Sequence, residues 1–189
     1  MTIGIFGGSF DPIHTGHLLV ADTVRSDRGL DRVLFIPAAK PPHKPQGAEA
    51  CGEDRLRMAA LAVEGMQGLG VSDAEIRRGG TSYTRDTLME FSRSDSLFLI
   101  VGMDSLLDMP NWKEPESILQ RAGLLVVERP GYSLGPLPGW LRRKVEFVRT
   151  PPMGISSTEI RERVRLGKSI RIWVPDPVER HIRERGLYR

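Results

Sequence analysis

The 189-residue chain is 40% apolar and 27% charged, the balance of an ordinary globular protein, and its length suits a single α/β domain over residues 1–189. Cys51 is the only cysteine, which excludes an internal disulfide and a thiolate metal cluster. The net charge of +3 comes from the last stretch: Glu159 to Arg189 holds nine Lys/Arg against five Asp/Glu, and with acids so interleaved and no zinc-finger or helix-turn-helix signature, no nucleic-acid partner is expected.

Met1-Thr2-Ile3-Gly4 enters a strand pattern without the basic segment and apolar core of a secretion signal, and no apolar run approaches the roughly 18 residues of a membrane span. A cytoplasmic protein with no membrane partner is expected. Ile3 to Phe6 is a short apolar run ending in Gly7-Gly8, and helical spacing follows from Thr15 to Arg28. Arg32 to Ile36 is a second buried strand, stopped by Pro37, so the helix between them makes a βαβ unit and predicts parallel pairing. Four prolines in Pro37 to Pro45 force a loop. Helices are expected over Arg55 to Val63 and Thr84 to Ser92, and Ser96 to Val101 is the most apolar strand. A helix near Glu116 to Arg121, strands over Leu124 to Val127 and Val145 to Val148, and closing helices over Ser156 to Leu166 and Asp176 to Arg185 complete the pattern. The alternation predicts a Rossmann-like, doubly wound α/β sheet with ligands at the carboxyl ends of its parallel strands.

The most informative segment is Gly7-Gly-Ser-Phe-Asp-Pro-Ile-His-Thr-Gly-His17, where the first strand hands over to the first helix. Glycines there let the backbone approach a ligand closely. His14 and His17 stand three apart at the helix start, on nearly one face, beside the unpaired amides and positive dipole end of the helix. Two imidazoles plus those amides make a phosphate cradle. The glycines are not followed by the Gly-Lys-Ser/Thr of a Walker loop, and Gly-x-Gly-x-x-Gly is absent. A zinc fragment lacks a third ligand and a nearby Glu base.

On this segment the chain resembles the nucleotidyltransferase superfamily, whose hallmark is His-x-Gly-His after the first strand. Within it the likeness is greatest to the bacterial nicotinate-nucleotide adenylyltransferases, which make deamido-NAD from nicotinate mononucleotide and ATP. It extends through Pro37-Ala-Ala-Lys-Pro-Pro-His-Lys44, Ser82-Tyr-Thr84 with Asp86-Thr-Leu88, Gly102-Met-Asp104 followed by Trp112, Arg129-Pro-Gly131 and Ile155-Ser-Ser-Thr-Glu-Ile-Arg161.

The resemblance implies a nucleotidyltransferase-type fold and an ATP site formed by Gly7, Gly8, Ser9, Phe10, Gly102, Asp104, Arg129, Ile155, Ser156 and Ser157. Asp104 also reads as an N-cap for a helix over Ser105 to Asp108, and Ser156 with Glu159 has capping-box spacing. His14, His17 and Arg161 are the implied catalytic residues, stabilising charge on the reacting phosphates. His43, Lys44, Tyr83, Thr84 and Trp112 are the implied mononucleotide contacts, with Mg²⁺ carried mainly by ATP. Relatives of the superfamily act on nicotinamide mononucleotide or phosphopantetheine instead; the Pro-Pro-His-Lys loop, Ser-Tyr-Thr and Trp112 favour the pyridine nucleotide. Oligomeric state is left open, a homo-oligomer included.

Overall fold

The computed structural model describes residues 1–42, 47–128 and 137–189. Among these, six strands form one all-parallel sheet in the order β3-β2-β1-β4-β5-β6. They are β1 (Thr2–Gly8), β2 (Arg32–Pro37), β3 (Leu69–Val71), β4 (Ser96–Gly102), β5 (Ala122–Glu128) and β6 (Val145–Arg149). Strand composition explains the layering, because both faces of a parallel sheet are covered. Val33 and Phe35 point into one core and Leu34 and Ile36 into the other; in β5, Leu125 and Val127 oppose Leu124 and Val126 in the same way.

The first core is closed by α1 (Thr15–Asp27), α2 (Gly52–Val63), α8 (Ser157–Arg165) and α9 (Asp176–Arg185). Against the second pack α4 (Thr84–Leu88), α5 (Met103–Asp108), α6 (Pro115–Arg121) and α7 (Gly139–Arg142), while α3 (Ala74–Arg78) follows β3. This is the doubly wound α/β arrangement expected. No helix among the described residues is long and apolar enough to cross a membrane.

Some local expectations are corrected. The helix expected over Thr84 to Ser92 ends at Leu88, because the Arg121 guanidinium donates to the Ser92 carbonyl at 2.7 Å and the Asp95 carbonyl at 3.1 Å, holding that stretch in turns. Asp104 does not cap the next helix: Gly102 does, and Asp104 lies in the first turn, where a carboxylate suits the dipole. Short β3, α3 and α7 carry too few residues to show a period.

In β1, Gly4 is needed for packing. A Cβ there would stand 2.9 Å from Val33 Cγ2 and 3.0 Å from both Ile100 Cδ1 and Leu30 Cδ1, all in the first core. Helix α9 is fastened to α2 by Asp54, whose Oδ1 lies 3.0 Å from His181 Nε2 and 3.2 Å from Arg185 Nε while Oδ2 accepts from Cys51 Sγ at 3.2 Å. Burial pushes the Asp54 carboxyl up, but the bonds from Cys51, Arg185 and His181 outweigh it and hold the group below the ordinary Asp range.

Two outcomes follow. Gly4→Ala overpacks the sheet and lowers unfolding free energy by about 1–3 kcal/mol in urea titration. Asp54 has a depressed folded pKa, so its contribution is present above the unfolded value of about 3.9 and is lost as pH falls through the folded one. Urea midpoints measured from neutral pH downward should therefore fall below about pH 5, and Asp54→Asn should make that fall shallower.

Candidate active site

Strand order reverses between β1 and β4, so their carboxyl ends part and leave a crevice where open α/β sheets bind ligands. The chain leaves β1 at Gly8 and reaches α1 through a turn whose Phe10 has φ 48°, in the left-handed region that bulky side chains avoid. Its ring is buried edge-on against Phe6, Phe35 and His17, with centroids 5.7, 5.4 and 5.1 Å away. The turn's carbonyls are held from behind: Arg55 Nη1 donates to Ser9 O at 2.8 Å, Arg161 Nη1 to Asp11 O at 2.8 Å, and Ser157 Oγ to Pro12 O at 2.9 Å.

His14 is the extended N-cap of α1, and its amide donates to His17 Nδ1 at 3.2 Å. In the neutral tautomer this leaves Nε2 of His17 as the ring's donor. The two imidazoles are stacked, centroids 3.6 Å apart and planes 22° from parallel. Gly16 makes room for the pair, since a Cβ there would come within 3.1 Å of His14 Nδ1. Thr15 anchors the helix mouth, with its amide 3.0 Å and its hydroxyl 3.1 Å from the Trp173 carbonyl.

The rings face a cleft of about 710 Å³, within the size range of nucleotide-sized ligand sites. Gly7, Gly8 and Ser9 form the wall next to the histidines; Gly102 and Asp104 come from the end of β4 and the start of α5. Thr84 and Trp112 line a third side, the Trp112 Nε1 donating to Asp108 Oδ2 at 3.1 Å. Gly154 and Ile155, just before α8, line a fourth.

Other expected residues stand behind this wall. Ser156 Oγ accepts from the Glu159 amide at 3.2 Å, which leaves its O–H as a donor, and Ser157 Oγ donates to the Pro12 carbonyl at 2.9 Å, tying the start of α8 to the turn. Arg161, expected to reach the phosphates, pairs Nε with Glu49 Oε1 at 2.6 Å and donates from Nη1 to Asp11 O. Tyr83 packs beneath the Lys113 ammonium, 4.6 Å from its ring centroid, outside the cleft wall. Phe10 contributes backbone only, its side chain being core. His43, Lys44 and Arg129 lie outside the described residues.

Sequence reasoning missed Glu75 and Ser82, both on the cleft wall. Glu75 is buried, with Oε1 accepting from Thr87 Oγ1 at 2.6 Å, and Ser82 Oγ accepts from the Ala39 amide at 2.9 Å, joining the proline-rich loop to the Ser-Tyr-Thr segment. Glu75 falls in no motif of the sequence, and Ser82 entered there only as part of Ser82-Tyr-Thr84.

Comparison with known proteins agrees with this geometry. Residues 5–163 match the model of the cytidylyltransferase-like family. The chain is 50% identical over 194 residues to a Thermus thermophilus protein named probable nicotinate-nucleotide adenylyltransferase, with both chains covered fully. It is 40% identical over 215 residues, again with full coverage of both, to a Desulfatibacillum aliphaticivorans protein of the same name. Among solved structures, Plasmodium falciparum nicotinic acid mononucleotide adenylyltransferase complexed with NaAD shares the fold at TM-score 0.78 and 20% identity, over 99% of this chain and 97% of that one. The chain therefore belongs to the cytidylyltransferase-like family and, within it, to the nicotinate-nucleotide adenylyltransferases.

Proposed function

We propose that this chain is a cytoplasmic adenylyltransferase that moves AMP from ATP to nicotinate mononucleotide, giving deamido-NAD and pyrophosphate. The observation that carries this reading is the stacked His14–His17 pair, set at the mouth of α1 on one cleft with Gly102, Asp104 and Ile155. Full-length identity of 50% to a relative bearing that name supports the choice of acceptor.

The acceptor's phosphate oxygen is already anionic, so no side chain has to remove a proton from it. That oxygen attacks the α-phosphorus of ATP in line; one P–O bond forms, and the bond to the bridging oxygen breaks, its electron pair leaving with pyrophosphate. Charge grows on the reacting oxygens, and preorganised donors aimed there are the main source of rate. His17 Nε2, the His14 ring and the amides around Gly7 to Ser9 are the donors on one wall, and the amides of Ile155 to Ser157 at the start of α8 are those opposite. Asp104 suits a ribose hydroxyl. Arg161 acts through the turn it holds. Trp112 offers its ring to the pyridine and Thr84 a hydroxyl.

Asp104 and Glu128 place hard oxygen donors on the cleft wall, chemistry compatible with Mg²⁺. Carried mainly by ATP, the ion would supply neutralisation of triphosphate charge.

Pyrophosphate release with ATP and each candidate acceptor tests the assignment: nicotinate mononucleotide should give the highest kcat/KM, and a dominant rate with phosphopantetheine would overturn the acceptor. His17→Ala should lower kcat by on the order of 10²-fold while the protein still unfolds in one cooperative transition. An unaltered kcat would remove the imidazole pair from the mechanism.

A further inference from the structure

Beyond α9 the chain returns to the back of the catalytic turn. Tyr188 is 7% exposed, and its hydroxyl donates to Asp11 Oδ1 at 2.8 Å; Asp11 itself is 3% exposed. The same carboxylate accepts from two further donors, the Glu49 amide on Oδ2 at 2.7 Å and the Ala50 amide on Oδ1 at 3.1 Å. Neither Tyr188 nor Asp11 reaches the cleft wall.

We propose that Tyr188 is a positioning residue for the transfer reaction: by donating to Asp11 it fixes the turn that presents His14 and His17 and registers residues 49 and 50, just ahead of α2, against that turn. The inference rests on the proposed function for its kinetic readout.

Three features support it. Asp11 adjoins Phe10, whose left-handed backbone must be imposed by contacts around it. Its carboxylate joins three stretches of chain far apart in sequence, residue 11, residues 49 and 50, and residue 188, so one group sets their relative placement. Tyr188 also adopts φ 63°, again left-handed, so its backbone too is held in place by the fold around it. Burial, then the Asp11 charge, push the Tyr188 hydroxyl far above the ordinary phenol range, so it keeps its proton and stays a donor across the working pH range. Arg161 reinforces the junction by bonding both the Asp11 carbonyl and the Glu49 carboxylate.

The test compares Tyr188→Phe, which removes only the hydroxyl, with Ile182→Val in the core face of α9 as a control for stability. Tyr188→Phe should lower kcat about ten-fold, the worth of one hydrogen bond to a charged group, with KM changed by less than about two-fold. Ile182→Val should leave kcat unaltered, and Tyr188→Phe added to Asp11→Ala, which removes the acceptor, should cause no further loss. Hydrogen exchange at the Glu49 and Ala50 amides should be faster in Tyr188→Phe than in Ile182→Val. Wild-type kcat in Tyr188→Phe, an equal kcat loss in the control, or unchanged exchange at those amides would each overturn the proposal. If the wild-type protein fails to make the dinucleotide, the proposed function falls, and the exchange comparison still decides the role of Tyr188.

Discussion

The site depends on a turn held in a conformation its own sequence resists. Between β1 and α1, Phe10 occupies left-handed backbone space, which costs a non-glycine residue on the order of 1–3 kcal/mol. Two guanidinium groups, from Arg55 and Arg161, donate to carbonyls on either side of it, and bonds from charged donors contribute about 1.5–3 kcal/mol each. Those two bonds together exceed the strain, before the Ser157 hydroxyl and the buried ring of Phe10 are added. The magnitudes explain why a functional turn is surrounded by arginines that never face the cleft.

Once the turn is fixed, the His-x-Gly-His spacing follows from contact geometry. His14 must cap the helix in an extended conformation for its amide to reach His17 Nδ1, and the two rings then stack with no space for a side chain at Gly16. Thr15, between them, points the other way and ties the helix mouth to the Trp173 carbonyl. Each residue in the motif thus has a separate physical task, and only the histidines have tasks that concern a ligand.

That division explains what could be read in the sequence and what could not. Strands β1, β2, β4 and β5 announce themselves as apolar runs buried on both faces, and the alternation with helices leads to the doubly wound sheet. Three-residue β3 and four-residue α7 are too short to carry a period. In the site, Gly7, Gly8, His14, His17, Gly102 and Asp104 were legible because they sit where a strand ends and a helix begins, and topology alone brings such places together. The bond from Arg161 Nε to Glu49, 112 residues away in sequence, could not be read from its spacing along α8. The bond between Asp11 and Tyr188, 177 residues apart, likewise has no local pattern.

The composition of the cleft wall bears on how the site handles polyphosphate. Among the described residues that line it there is no lysine or arginine; the polar surface is imidazole, hydroxyl, carboxylate and backbone amide. The mouths of α1 and α8, marked on the cleft wall by His14, Gly16 and Ile155, bring their positive dipole ends to this crevice, each worth a fraction of a charge. Fixed dipoles of this kind need no reorganisation as charge shifts from the α-phosphorus to the departing pyrophosphate.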